Sequence, residues 1–150
     1  MHALDGKAAL GDYRRGLSGK VAFVPTMGAL HAGHISLVKA AQQLADTVIV
    51  SIFVNPLQFG PGEDFERYPC DLDSDQKSLI RAGADALFCI SRSEMYGEHH
   101  ETMVVQEHLW EHLCGLSRPG HFRGVLTVDA KLLNLVRPDV LLLGRKDYQQ

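Results

Sequence analysis

The stretch "VAFVPTMGALHAGHISLVKAA", residues 21–41, decides the fold. Its first five residues are an unbroken apolar run closed by proline, the pattern of a strand buried on both faces. A loop carrying Gly28, His31, Gly33 and His34 follows. Apolar residues then fall at helical spacing, with Ile35, Val38, Ala41, Leu44 and Ala45 on one stripe of a helix expected over 33–46. The next segment, "TVIVSIFVNP" (47–56), is β-branched, apolar and again closed by proline. Two such strands joined by a helix make a parallel βαβ unit.

The pattern continues on both sides. "DLDSDQKSLIRAG" (71–83) predicts a helix, with Asp71, Asp73 and Asp75 crowding its positive N-terminal end and Gly83 stopping it. "DALFCI" (85–90) and "DVLLLG" (139–144) read as further buried strands, and 122–138 as a long helix ending before Pro138. "MVVQEHLWEHLCGL" (103–116) suggests a short strand and a short helix, and Leu4–Leu17 a surface helix stopped by Gly16 and Gly19. Residues 57–69, rich in glycine, proline and charge, form a long loop. Strands alternating with helices imply an α/β fold: a Rossmann-like, doubly wound parallel sheet with helices on both faces, in one domain over 1–150.

The bulk properties narrow the function. The chain has 150 residues, is 45% hydrophobic and carries a formal charge of −3, as expected of one soluble globular domain. Fifteen Lys and Arg against eighteen Asp and Glu argue against a nucleic acid or an anionic membrane as partner, so any anion site is local. Cys70, Cys89 and Cys114 are odd in number and lack CxxC spacing, which points to free thiols in a reducing cytosol. The N-terminus has no apolar core of signal-peptide length, so a cytoplasmic protein is expected.

In doubly wound sheets ligands bind beyond the carboxyl ends of the strands, where residues 25–34 lie. Gly28 permits a tight turn, and Gly33 lets a ligand approach the backbone at the entry of a helix whose free N–H groups attract anions. His31 and His34, three apart, either cap that helix or donate N–H groups to phosphate oxygens. Met27 and Leu30 would flank an adenine or a ribose. Three other patterns carry less. His108 and His112 are four apart but lack the glutamate beside the first histidine that a zinc protease needs. The aspartates 71, 73 and 75 lack the glycine and terminal glutamate of a calcium loop, so they cap a helix, with Asp75 retained as a candidate magnesium ligand. Residues 60–68 are either a lid or an exposed crossover.

"VPTMGALHAGH", "SIFVNPLQFG", "SRPGHFRGVLTV" and "GRKDYQQ", in that order, resemble the pantoate–β-alanine ligase family of the HxGH nucleotidyltransferase superfamily, over residues 21–150. "FVNPLQF" separates the chain from the cytidylyltransferases of that superfamily. The resemblance implies two steps. Pantoate attacks the α-phosphate of ATP and releases pyrophosphate; β-alanine then displaces AMP from pantoyl adenylate. Magnesium accompanies the ATP. It also implies that His31 and His34 contact ATP, with His34 the acid or charge stabiliser, and that Met27, Gly28, Ala29, Leu30, Ala32 and Gly33 complete the nucleotide loop. Gly144, Arg145 and Lys146 would face the phosphates and Asp147 the ribose. Gln58 would bind pantoate and then β-alanine, Gln150 would bind pantoate, and Asn55 would shape their pocket. Arg145 stands where the family usually has glutamate. Arg118 and His121 anchor either a carboxylate or a neighbouring loop. The family further implies homodimers and a chain nearly twice as long, with a C-terminal domain closing over ATP. These 150 residues are therefore expected to be an N-terminal domain that binds substrates with little or no turnover.

Overall fold

The computed structural model describes residues 1–60, 63 and 65–150. Among these, five strands form one parallel sheet: β1 (His2–Asp5), β2 (Val21–Thr26), β3 (Thr47–Ile52), β4 (Ala86–Cys89) and β5 (Val140–Leu141), in the order β1-β4-β3-β2-β5. The helices are α1 (Gly6–Arg15), α2 (Ala32–Ala41), α3 (Leu72–Ala82), the one-turn α4 (Arg92–Met95) and α5 (Cys114–Ser117), and α6 (His121–Val136). Alternation along the strands divides the core. Val21, Phe23, Ile49 and Phe88 pack with Leu10 of α1 and Val128, Leu132 and Val136 of α6 on one face. Ala22, Val24, Val48, Val50 and Leu87 pack with Val38 of α2 and Leu79 of α3 on the other. The expected doubly wound α/β sheet is thus observed.

The lower ends of the strands are tied by a recurrent aspartate. Asp46, Asp85 and Asp139 each precede a strand, and each accepts a hydrogen bond from the backbone N–H at the start of the next strand over. Lys20 N–H reaches Asp46 at 2.7 Å, Val48 N–H reaches Asp85 at 2.7 Å, and Val21 N–H reaches Asp139 at 2.8 Å. Arg14 at the end of α1 donates to the carbonyls of Val136 and Arg137, both at 2.8 Å, supplying partners to the unpaired C-terminal end of α6.

Four local expectations are corrected. Residues 2–5, part of them expected in a helix with Leu4 at its start, form edge strand β1 paired with Ala86–Cys89. Only Leu4 of this strand is buried, so no alternation marked it. The helix after β2 ends at Ala41, because Gln43 and Leu44 bond back three residues, to Ala40 and Ala41, and turn the chain toward β3. Leu44 is left 52% exposed. No described residue of 103–116 is in a strand. The chain there lies over α6, with Val104 N–H donating to Thr127 Oγ1 at 3.0 Å, and only a 3-10 turn (Leu109–Glu111) and α5 form. Finally, the buried strand expected over 139–144 contributes two residues at the sheet edge.

Helix α6 crosses the 3-10 turn Pro56–Gln58 at its glycine. A Cβ on Gly124 would collide with the Leu57 carbonyl group and the Gln58 backbone nitrogen. Gly124→Ala is therefore expected to cost about 1–3 kcal/mol and to lower Tm by several degrees. A melting temperature equal to wild type would show that the helix and turn can separate freely.

Candidate active site

The carboxyl ends of β2, β3 and β5 open on a cleft of about 610 Å³. It lies where the chain's winding reverses: α2 carries the chain from β2 to β3, while α6 returns it to β5 on the other side of β2. The predicted residues Met27, Gly28, Ala29, His31, Gly33, His34, Gln58, Gly144, Arg145, Lys146, Asp147 and Gln150 all line it. Leu30 and Ala32 do not: Leu30 turns inward onto the core of the α2 face, and Ala32 is exposed on the far side of the helix entry.

The two histidines cap the helix through one ring nitrogen each. His31 precedes α2, and its Nδ1 accepts Gly33 N–H at 3.1 Å. His34 Nδ1 accepts His31 N–H at 3.3 Å, which closes a reciprocal box. A neutral imidazole that accepts at Nδ1 carries its proton on Nε2. The ring centroids lie 4.1 Å apart, so the cap leaves two Nε2–H donors side by side at a positive helix end. Burial, with His31 and Lys146 nearby, lowers the His34 pKa and keeps the ring neutral.

The loop that holds them is fastened from α3. Asp75 is 4% exposed, and its carboxylate accepts Leu30 N–H at 2.6 Å. Gly28 adopts φ 69°, and a Cβ there would lie 2.8 Å from Asp75 Oδ2, so the loop closes over the carboxylate only with glycine. Tyr68 Oη donates to the Gly28 carbonyl at 2.7 Å. Asp75, a candidate magnesium ligand in sequence, is thus occupied with backbone and is not a lining residue. No group of three or more His, Cys, Asp or Glu able to hold a metal occurs among the described residues.

On the other wall, Asn55 is 1% exposed and uses both ends of its amide. Its Oδ1 accepts from Tyr96 Oη at 2.7 Å and Leu57 N–H at 3.3 Å. Its Nδ2 donates to the Gly124 carbonyl at 3.1 Å and to Gln58 Oε1 at 3.0 Å. Gln58 must therefore turn its NH2 outward, toward Met27 Sδ at 3.0 Å and the cleft.

The open question about Arg118 and His121 resolves to loop anchoring. Arg118 grips Glu63 through two hydrogen bonds of 2.8 and 2.9 Å, and this partner brings the Glu63 carboxyl down to about 2. His121 Nδ1 lies 2.8 Å from the Gln58 carbonyl, and Arg118 bonds the same oxygen at 3.3 Å. The lid suggested for 60–68 includes residues 61, 62 and 64, which lie outside the described residues. At the third wall, Lys146 lies 3.3 Å from Asp147. Gln150 Nε2 donates to Asp129 of α6 at 2.6 Å. Sequence reasoning passed over Asp129 and Tyr96. The one signal for Asp129 was an acid inside the apolar helical pattern "VLTVDAKLL".

Fold and cleft together define a class, the Rossmann-like α/β proteins with a ligand cleft at the topological switch point. The profile of the pantoate–β-alanine ligase family matches residues 4–150. The chain is 59% identical over 141 residues to the pantothenate synthetase of Alcanivorax borkumensis, covering 93% of this chain and 49% of that protein. It is 58% identical over 137 residues to that of Moorella thermoacetica, covering 91% and 48%. Among solved structures, pantothenate synthetase from Thermus thermophilus superposes with a TM-score of 0.93 at 48% identity, over 99% of this chain and 54% of that one. Pantoate–β-alanine ligase from Francisella tularensis, complexed with β,γ-ATP and β-alanine, gives 0.96 at 44% identity, over 100% and 59%. The chain belongs to the pantoate–β-alanine ligase family, and it spans about half the length of these relatives.

Asp75→Ala should lower stability by about 1–3 kcal/mol through the unpaired Leu30 N–H, with Asp75→Asn keeping most of it because an oxygen still accepts. Magnesium should leave the wild-type Tm unchanged. A magnesium-dependent rise that Asp75→Asn abolishes would restore Asp75 as a metal ligand.

Proposed function

We propose that residues 1–150 are the nucleotide- and pantoate-binding domain of an ATP-dependent, AMP-forming ligase that condenses pantoate with β-alanine. The observation carrying this reading is the convergence of His31 and His34, Lys146 and Asp147, and Gln58 and Gln150 on one cleft, in a chain of this family. In the first step the pantoate carboxylate attacks the α-phosphorus of ATP and pyrophosphate leaves. In the second the β-alanine amine attacks the acyl carbon of pantoyl adenylate and AMP leaves, giving pantothenate. Neither step needs an enzyme nucleophile; both need alignment and charge neutralisation.

The side chains divide this work. The Nε2–H groups of His31 and His34 and the N–H groups at the start of α2 face the phosphates, with His34 stabilising the charge that develops at the α-phosphate. Met27 to Ala29, His31, Gly33 and His34 frame the nucleotide with Gly144 to Asp147, Lys146 reaching the phosphates and Asp147 the ribose. Gln58 donates to pantoate and later meets β-alanine; Gln150 binds pantoate. Magnesium arrives on ATP as part of the substrate. In this reading residues 1–150 bind substrates with little or no turnover. The same reading makes the protein a cytoplasmic homodimer. No helix among the described residues is long and apolar enough to cross a membrane.

Titration calorimetry tests this. Pantoate and ATP should each bind. His34→Ala should weaken ATP about tenfold, the equivalent of about 1.4 kcal/mol, and spare pantoate; Gln58→Ala should do the reverse. ATP binding should also take up protons as pH falls through the histidine range, because phosphate raises the lowered His34 pKa on binding, so affinity grows as pH falls. Equal ATP affinity in wild type and His34→Ala, or pyrophosphate release at full catalytic rate by this chain alone, would overturn the corresponding part.

A further inference from the structure

Asp129 is a carboxylate inside a binding cleft whose proposed ligand is itself an acid. It sits on α6 one residue after Val128 and one turn before Leu132, both core residues, and it is partly buried. Placing an acid on that stripe opposes both burial and binding of an anion. Gln150 Nε2 donates to Asp129 Oδ2 at 2.6 Å.

That bond decides how Gln150 meets a ligand. An ionised carboxylate only accepts, so the amide must give it the NH2 end. The Gln150 carbonyl oxygen is then left for the cleft, which both residues line. Across the cleft the opposite holds: Asn55 Nδ2 occupies Gln58 Oε1 at 3.0 Å, so Gln58 offers its NH2. One glutamine is fixed as a donor and the other as an acceptor. A hydroxyl, which donates and accepts at once, fits that pair; a hydrocarbon does not.

We propose that Asp129 is a positioning residue that locks the Gln150 amide as a hydrogen-bond acceptor, and so makes the acid subsite select a hydroxylated carboxylic acid. This rests on the pantoate reading above. Burial pushes the Asp129 carboxyl up, the Gln150 N–H opposes that shift, and the nearby Asp147 adds to it.

Pantoate and 3,3-dimethylbutanoate, which has the same branched acid skeleton without hydroxyls, separate orientation from charge. The 150-residue chain and its Asp129→Asn and Asp129→Val variants are titrated with each, with melting curves to establish folding. Wild type should prefer pantoate. Asp129→Val should reduce that preference about tenfold, and Asp129→Asn, which keeps an accepting oxygen, should retain it. Gln150→Ala added to Asp129→Val should cost no further preference, because both changes remove one interaction. An unchanged preference in Asp129→Val overturns the proposal. So does an equal loss in Asp129→Asn, which would assign the effect to charge. Should Asp129→Val not fold, the Asp129→Asn and Gln150→Ala single variants still decide: the preference must survive the first and fall in the second. A wild type that binds ATP and neither acid overturns the pantoate reading itself, and a wild type that binds both acids equally overturns only this inference.

Discussion

The amide of Asn55 is the constraint on which the Gln58 wall of the cleft depends. It sits at the end of β3, almost wholly buried, where an unpaired polar group would be costly. Its oxygen takes two hydrogen bonds and its nitrogen gives two, so it is fully satisfied. Through those four bonds it joins the turn after β3, Tyr96 beyond α4, the backbone of α6 and the side chain of Gln58. Tyr96 donates to an amide oxygen that can only accept, and burial, which pushes its hydroxyl pKa well above the usual range, keeps that proton in place. Gly124 completes the joint by letting α6 touch the turn backbone to backbone. A shift in any of these elements would reach Gln58 directly.

The sheet is asymmetric in how it is fastened. At its amino end, Asp46, Asp85 and Asp139 tie neighbouring strands across three gaps. At its carboxyl end the backbone N–H groups are left to loops, and side chains from other elements hold those loops: Asp75 and Tyr68 the histidine loop, Arg118 and His121 the Gln58 turn. The loops at the open end are thus held by side chains from elsewhere in the chain, not by the strand ladder.

The elements that were legible in the sequence are those whose burial spans both faces or a full helical stripe. VAFVP, TVIVSI and ALFC are such runs, and Asp71 with Gly83 bounds α3 at both ends, as cap and left-handed stop. Strand β1 was hidden because an edge strand with one buried residue has no period. Residues 103–116 misled because their apolar residues are exposed: Leu109 at 68%, Leu113 at 74% and Leu116 at 71%. For the cleft, the motif-bearing residues were legible as short segments at strand ends. Their supports were not, because Tyr96, Gly124 and Asp129 act across 41, 69 and 21 residues of sequence, where no local pattern connects them.

The charge at position 145 follows from the same geometry. Lys146 lies 3.3 Å from Asp147, so part of its charge is already answered within the turn. Arg145 lines the same cleft and is exposed. Solvent screens an exposed guanidinium, so its charge acts at a distance and falls off as salt rises. The imidazoles of His31 and His34 are fixed differently, by backbone N–H groups bonded to their Nδ1 atoms, which hold the rings against the start of α2 whatever the ionic strength.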